Sequence, residues 1–261
     1  MIPQANLDSK YIQNMFSRLA FRYDLFNHLT SLGMATHWRK ETLKPLKAGM
    51  RVLDLGCGTG DLALGAIQKI GGFGEVVGLD FSQAMLDVAN ERYKTLLRRG
   101  TGSACRVGAH GRAPLRNGRP NLRWVMGKAE DIPFEPEPYD LVVSGFVLRN
   151  LYENIDAILT GVYQALKPSG EISFVDITEP DNALIRSLWR CYMNTIVAFY
   201  GRILFGRDYP RLYLTESAKH FFRSGAFVQK LKQKGFRGVH ARPLMLGVVT
   251  LYQAQKPPLC R

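Results

Sequence analysis

The feature that most limits the fold is the stretch from Arg51 to Asp61, where an apolar run precedes three alternating glycines. Its branched apolar residues are typical of a strand buried inside a parallel sheet. Glycine permits a positive φ and lets a ligand approach the backbone closely. The stretch therefore predicts a strand, a tight turn and a helix, with a ligand bound over the turn.

The spacing of the glycines separates two classes of ligand. The dinucleotide fingerprint G-x-G-x-x-G needs its third glycine where this chain has Asp61, so that motif is absent. The pattern Asp-x-Gly-x-Gly-x-Gly instead resembles the first motif of class I S-adenosylmethionine (SAM) methyltransferases. A nucleotide-binding turn of another Rossmann-like protein is the alternative. The resemblance implies a SAM site formed by Asp54, Gly56, Gly58, Thr59 and Gly60.

An acid follows the next predicted strand. Glu75 to Leu79 is typical of a second buried strand, and Asp80 comes directly after it. It lies about 20 residues past the glycine turn, where a carboxylate can accept hydrogen bonds from both ribose hydroxyls. Packing gives little reason for an acid at that place. The two signals together indicate a cofactor that contains a ribose.

Three more strands are predicted, at Leu122–Met126, Tyr139–Ser144 and Glu171–Val175, with helices between them. The helix before the last of these begins at Asn154 or Asp156, and residues 167–170 are expected to end it. This alternation predicts one doubly wound α/β domain with a mostly parallel, Rossmann-like sheet. Two short apolar runs in residues 236–252 predict a closing hairpin, and hence an antiparallel strand near the C-terminus.

Composition divides the 261-residue chain further. Residues 1–45 and 181–235 are predicted to be a helical lid and a helical substrate cap, residues 46–180 the SAM-binding core, and residues 236–261 the closing strands. The stretch from Arg92 to Arg123, with both ends included, contains nine Lys or Arg and no Asp or Glu, which predicts a flexible basic insertion at 98–120. The net charge of +13 therefore says most about this insertion.

The four cysteines are scattered and have no zinc spacing, so no metal site is predicted and a reduced compartment is expected. No secretory signal is recognisable. The most apolar stretch, Leu184 to Phe205, contains three arginines, and its uncharged part is well short of the roughly 20 residues of a membrane span. The sequence predicts a cytoplasmic protein.

Positions after the third and fourth predicted strands extend the resemblance. The segment from Lys128 to Phe134 is similar to the methyltransferase segment along the adenine, which implies cofactor contacts from Lys128 and Ala129. Family members often carry an acid or Asn at the position of Lys128, and a lysine cannot accept a bond from the adenine amino group. A contact there is expected through the backbone. Ser144 is a further candidate cofactor contact.

Further stretches of the chain carry a more specific resemblance. They are Tyr23–Asn27, Ser31 with Gly33, Trp38–Arg39, Leu148–Asn150, Asp176 with Pro180, and Tyr213 with Ser217. With them, the chain as a whole resembles the ubiquinone/menaquinone biosynthesis C-methyltransferases, although this family usually has Gly where Val147 stands and Glu where Asp176 stands. The resemblance implies methylation, by SAM, of a ring carbon of a polyprenylated quinol, leaving S-adenosylhomocysteine (SAH).

Ring-carbon methylation requires near-attack placement and stabilisation of a phenolate. In the family, the arginine that matches Arg149 is linked, with a water, to deprotonation of the hydroxyl. Arginine is a poor base, so stabilisation of the phenolate is the preferred role and a surface salt bridge the alternative. Asn150 is expected to orient the water or ring oxygen, and Tyr23 to lie in the lid near the substrate. Asp24, Asn27 and Arg39 are alternatively a buried polar network that holds the lid.

The expected partner is a polyprenylated quinol, whose apolar tail belongs in a bilayer. The aromatic and basic segment from Leu184 to Arg211 is a candidate for transient contact with a membrane surface, or else an ordinary helical cap. No nucleic acid is expected, since the fourth strand ends in Ser-Gly-Phe-Val and not in the Asp-Pro-Pro-Tyr type of motif that is associated with methylation of base amino groups. A small-molecule O- or N-methyltransferase is the alternative, with an RNA or DNA methyltransferase behind it. The oligomeric state stays open, with a homodimer among the options.

Overall fold

The computed structural model describes residues 22, 24–71, 74–99, 121–132, 136–206 and 224–259. These residues form a seven-stranded sheet in the order β3-β2-β1-β4-β5-β7-β6. Strands β1 to β5 are parallel, and β7 runs antiparallel to both β5 and β6. The predicted fold class is confirmed, including the antiparallel strand near the C-terminus. The strands are Arg51–Leu55 (β1), Glu75–Asp80 (β2), Asn121–Met126 (β3), Tyr139–Gly145 (β4), Leu166–Ile177 (β5), Arg237–Leu244 (β6) and Val249–Gln255 (β7).

Helices cover the sheet and extend from its edge. A 3-10 segment, Leu148–Asn154, precedes α5, and a single π-helical turn, Met193–Val197, joins α6 to α7. A second 3-10 segment, Met245–Gly247, lies between β6 and β7. The helices are residues 24–30 (α1), Met34–Thr42 (α2), Asp61–Ile70 (α3), Gln83–Arg98 (α4), Ile155–Ala165 (α5), Ala183–Tyr192 (α6), Ala198–Phe205 (α7) and Ser224–Gln233 (α8).

The core lies on both faces of the sheet, which explains why β1 is apolar without alternation. One face packs against α5 and α8 through residues such as Ile158 and Phe227. The other face packs against α3 through residues such as Ile67. The apolar positions of α3 that the sequence places at Leu62, Ala66 and Ile70 are all buried. This three-layer packing fixes the turn between β1 and α3.

The fifth strand begins earlier than the sequence predicts. Leu166 already pairs with Tyr139, and pairing then skips to Leu141 with Glu171. The intervening residues form a bulge in which Ser169 has a φ of 64° and its amide donates to the carbonyl of Lys256. Pro168 and Gly170 therefore lie where the strand pairing is interrupted. They do not end the preceding helix, because that helix has already ended at Ala165.

Several predictions fall outside the described residues. They concern Tyr23, most of the basic insertion, and the stretch with Tyr213 and Ser217. Helix α4 begins as expected, because the Ser82 hydroxyl accepts a hydrogen bond from the amide of Met85. Within the described part of the chain, no helix has both the length and the apolar character needed to cross a membrane.

Candidate active site

The glycine turn lies at the carboxyl ends of the parallel strands, where doubly wound sheets bind ligands. The amides of Gly56 and Cys57 both donate to the carbonyl of Leu79, at 2.8 and 3.0 Å, which ties the turn to β2. Gly58 has a φ of 52°, and a Cβ added there would meet no described atom within 4 Å. The turn therefore presents open backbone at Gly58, as close approach by a ligand requires.

Asp54 lies beneath the turn and is 1% exposed. Its Oδ2 accepts a hydrogen bond from the amide of Ala63 at 2.9 Å, whereas its buried Oδ1 has no partner among the described residues. Burial, with smaller contributions from the charges of Asp80 and Asp61, raises the pKa of Asp54 to about 8. Asp54 thus brings a mostly neutral carboxyl group, with one unpaired oxygen, to the turn at pH 7.

Asp80 ends β2 beside the same turn. Its Oδ2 accepts from the amide of Gly58 at 2.8 Å, and its Oδ1 accepts from the amide of Ser82 at 2.9 Å. Burial raises the pKa of Asp80, and these backbone donors oppose the rise. A carboxylate oxygen can accept more than one hydrogen bond, so Asp80 keeps capacity to accept bonds from hydroxyl groups.

Arg149 is held in a buried ion pair. Its Nη1 lies 2.9 Å from Oδ1 of Asp176, and the two side chains are 5% and 0% exposed. The same Nη1 donates to the carbonyl of Phe146 at 2.9 Å, and the amide of Arg149 donates to Oδ2 of Asp176. The expected alternative of a surface salt bridge is therefore wrong, because the pair is internal.

The turn that carries Arg149 packs against the glycine turn. A Cβ added to Gly56 would lie 2.5 Å from Cγ1 of Val147, so only glycine fits beside that side chain. Phe146 has a φ of 62°, which is uncommon for a residue with a side chain, and its ring lies 5.9 Å from that of Trp38. Asn150 follows, and its buried Oδ1 has no partner among the described residues.

The remaining candidates differ in their surroundings. The Thr59 hydroxyl donates to Oδ1 of Asp24 at 2.6 Å, so it joins the turn to α1. The fully buried Ser144 hydroxyl donates to the carbonyl of Leu55 at 2.8 Å, so it joins β4 to β1. Lys128 is exposed after β3, and Ala129 packs against the main core.

The contacts of two charged side chains near the turn, Arg92 and Asp61, could not be predicted from the sequence. Arg92 on α4 binds Asp24, Thr59 and Asp61, and Asp61 also pairs with Arg39. The alternative prediction of a buried polar network agrees with these contacts for Asp24 and Arg39, but their side chains are 39% and 21% exposed, so the network is only partly buried. A signal for Arg92 exists, since it lies three residues after buried Ala89 on one helical face.

Comparison with known proteins identifies the chain's relatives. The profile of the ubiE/COQ5 methyltransferase family matches residues 4–256. A demethylmenaquinone methyltransferase from Lactiplantibacillus plantarum is 33% identical over 248 residues, which are 94% of this chain and 95% of that protein. A demethylmenaquinone methyltransferase from Lactobacillus johnsonii is 32% identical, over 93% of this chain and 91% of that protein.

Solved structures agree on the fold. A SAM-dependent methyltransferase from Aquifex aeolicus superposes with a TM-score of 0.54 at 17% identity, over 83% of this chain and 88% of that one. A possible histamine N-methyltransferase from Thermotoga maritima gives 0.57 at 15% identity, over 94% and 99%. The chain therefore belongs to the ubiE/COQ5 methyltransferase family and is a SAM-dependent methyltransferase.

Proposed function

We propose that the protein transfers a methyl group from SAM to a ring carbon of a polyprenylated quinol in quinone biosynthesis. The names of the relatives favour demethylmenaquinol, and a polyprenylated benzoquinol of the ubiquinone pathway is the second candidate. The observation that carries the proposal is the buried Oδ1 of Asn150, which has no partner among the described residues and lies next to Arg149 on the turn that packs against Gly56. In the proposal, a ring hydroxyl donates to that oxygen once the bound acceptor has displaced the side chains that cover it.

The residues around the turn fit SAM, which supplies a methyl group on a cationic sulfur. Open backbone at Gly58 suits the methionine part, with Gly56, Thr59 and Gly60 shaping the turn. Oδ1 of Asp54, which has no partner in the described part of the chain, suits an ammonium donor, and Asp80 suits the ribose hydroxyls. Lys128 and Ala129 would border the adenine through their backbone, and Ser144 would act by holding β4 against β1.

The acceptor chemistry is assigned to Asn150 and Arg149. Asn150 would accept a hydrogen bond from the ring hydroxyl or from a water, and so fix the ring carbon toward the methyl group. Arg149 keeps its proton, because a guanidinium is a very weak acid. It would stabilise the negative charge that develops on the ring oxygen when a water carries the hydroxyl proton to solvent. Asp176 holds that guanidinium in place. Tyr23 is proposed to border the acceptor from the lid.

Asn150→Ala tests this assignment. The expected result is an unchanged affinity for SAH with turnover lower by about 100-fold, since a positioned polar group at the reacting atoms is lost. Asn154→Ala is the matched control, because its amide binds Glu130 at the surface, 2.6 Å away. Equal turnover in the two variants would remove Asn150 from the mechanism.

The substrate is tested in cells and with purified protein. Mass spectrometry of the quinone pool should reveal, in cells without the protein, a species lighter by one methyl group. Purified protein should methylate demethylmenaquinol faster than the benzoquinol. Transfer to neither quinol, with transfer to another small molecule, would favour the alternative O- or N-methyltransferase.

We also propose transient contact between the cap and an anionic membrane surface. The continuous helix from α6 to α7 exposes large apolar side chains that recur along its length. It also carries three arginines, a residue type that suits anionic lipid, although Arg190 pairs with Glu179 and Arg186 donates to the carbonyl of Pro180. An apolar tail in a bilayer requires such an approach. The exposed side chains are Leu184, Leu188, Ile196, Phe199 and Ile203.

Vesicle flotation tests the contact. Leu188→Ser with Phe199→Ser should lose binding to vesicles that contain anionic lipid, whereas Leu97→Ser, at an exposed leucine of α4, should not. Absence of wild-type binding at low salt would contradict the proposal.

A further inference from the structure

One guanidinium group connects three segments around the glycine turn. Nη1 of Arg92 on α4 donates to Oδ2 of Asp24 on α1 at 2.8 Å and to the carbonyl of Thr59 in the turn at 2.9 Å. Its Nη2 donates to Oδ1 of Asp61, the first residue of α3, at 2.6 Å. The planar fork of arginine suits several acceptors at once, which a lysine ammonium does not match.

The remaining carboxylate oxygens are also engaged. The Thr59 hydroxyl donates to Oδ1 of Asp24 at 2.6 Å, and Nη2 of Arg39 lies 2.7 Å from Oδ2 of Asp61. Two carboxylates and two guanidinium groups thus balance in charge, with side chains between 21% and 39% exposed. Partial burial makes these contacts stronger than those of an exposed surface pair.

The far side of α1 contacts the cap. The rings of Phe26 and Phe205 lie 5.4 Å apart, and the Tyr192 hydroxyl donates to the carbonyl of Thr30 at 3.0 Å. Arg22 donates to the carbonyl of Leu204. Helix α1 and the nearby Arg22 therefore contact the cap through an aromatic pair and two hydrogen bonds to backbone carbonyls, while α1 contacts the glycine turn through polar bonds.

We propose that Arg92 and Asp24 are positioning residues that couple the shape of the glycine turn to the placement of α1. Both bonds to the turn go to Thr59, between Gly58 and Gly60, so a turn held in one shape by SAM or SAH also holds α1. Neither residue touches the reacting atoms in this role. The placement of α1 then sets the acceptor site, and that last step alone rests on the proposed function.

Hydrogen exchange tests the coupling without any acceptor. In the wild type, SAH should slow exchange of the amides in residues 24–30. In Arg92→Met this slowing should weaken, because in the described part of the chain only the bond from the Thr59 hydroxyl to Asp24 then joins the turn to α1. The Kd for SAH should rise by no more than about 5- to 150-fold, the usual range of coupling between two sites. Lys94→Met is the matched control, since Lys94 lies on the same helix and pairs only locally with Glu91 among the contacts described. It should behave as the wild type.

A variant from the other end keeps the test decisive if Arg92→Met does not fold. Asp24→Ala removes both acceptor oxygens that α1 presents to Thr59 and Arg92, and it should abolish the same slowing of exchange. The double variant should behave like Asp24→Ala, because that change already removes both described connections between the turn and α1. Full SAH-dependent slowing in either single variant would overturn the proposal, since α1 would then be placed by its contacts with the cap.

Turnover separates positioning from mere stability. In Arg92→Met, kcat/KM for the acceptor should fall at least about tenfold, and Arg92→Lys should recover only part of it. Unchanged kcat/KM in Arg92→Met would also overturn the proposal. A protein whose α1 responds to SAH as described, but which methylates no quinol, would refute the proposed function and leave this coupling intact.

Discussion

Asp176→Leu leaves the guanidinium of Arg149 buried without the carboxylate that neutralises it. The two groups lie 2.9 Å apart, and their side chains are 5% and 0% exposed. Removing one partner of such a pair typically costs about 3–5 kcal/mol of stability, because an uncompensated charge stays buried. A guanidinium keeps its proton below about pH 12, so a change of protonation cannot reduce that cost.

The opposite variant should cost less. Burial raises the pKa of Asp176, and the charge of Arg149 opposes that rise. In Arg149→Met the carboxyl group can therefore take up a proton, and the cost should fall as the pH is lowered from 7.5 to 5.5. The double variant places apolar groups at both positions, so its cost should be smaller than the sum of the single costs by about 2 kcal/mol or more.

Urea unfolding followed by tryptophan fluorescence measures the four free energies of unfolding at each pH. Arg190→Met is the control, because Arg190 is half-exposed in its pair with Glu179 and should contribute only about 0–1 kcal/mol. Equal, pH-independent costs for both single variants, with an additive double variant, would refute this account of the pair.

The glycine turn and its neighbours give three further predictions. Asp80→Ala should weaken SAH binding about 10- to 100-fold in calorimetry, and unchanged affinity would mean that Asp80 does not bind the ribose. Because the pKa of Asp54 is about 8 in the folded protein, its carboxyl group is ionised between about pH 4 and about pH 8 only in the unfolded chain. The free energy of unfolding of the wild type therefore falls as the pH rises through that range. Asp54→Asn should therefore gain on the wild type by roughly 1.4 kcal/mol per pH unit in that range, and parallel unfolding curves would contradict this. Gly78→Ala should lower the free energy of unfolding by about 1–3 kcal/mol, because the added Cβ would lie 2.5 Å from the Trp124 ring. Gly225→Ala in α8 should instead raise it by about 0.5–1 kcal/mol. Similar shifts of the melting temperature in the two variants would count against this packing.

The sheet could be predicted because its determinants are local. Apolar runs, the glycine turn and Asp80 each lie within a short stretch, and strand–helix alternation leaves few topologies. The bulge in β5 could not be predicted, because Leu166 enters the sheet through its pairing with Tyr139, a distant residue.

Contacts across the fold explain what the sequence missed in the site. The Arg149–Asp176 pair joins residues 27 positions apart, and the Arg92–Asp24 bond joins residues 68 apart. A charged side chain alone does not indicate its partner, so the sequence predicts Arg149 either as the group that stabilises the phenolate or as part of a surface salt bridge, and not the buried pair with Asp176. Only the packing of α1, α3 and α4 around the turn brings Asp24, Asp61 and Arg92 together.

The position of the transferred methyl group is the most direct test of the proposed methylation of a ring carbon. Purified protein, SAM with an isotope-labelled methyl group and demethylmenaquinol are combined, and the product is analysed by NMR. We expect the wild type to form a product in which the labelled methyl group is bonded to a ring carbon, and Asn150→Ala to form little of it. A labelled methyl group on a ring oxygen, or no label in the quinol at all, would contradict it.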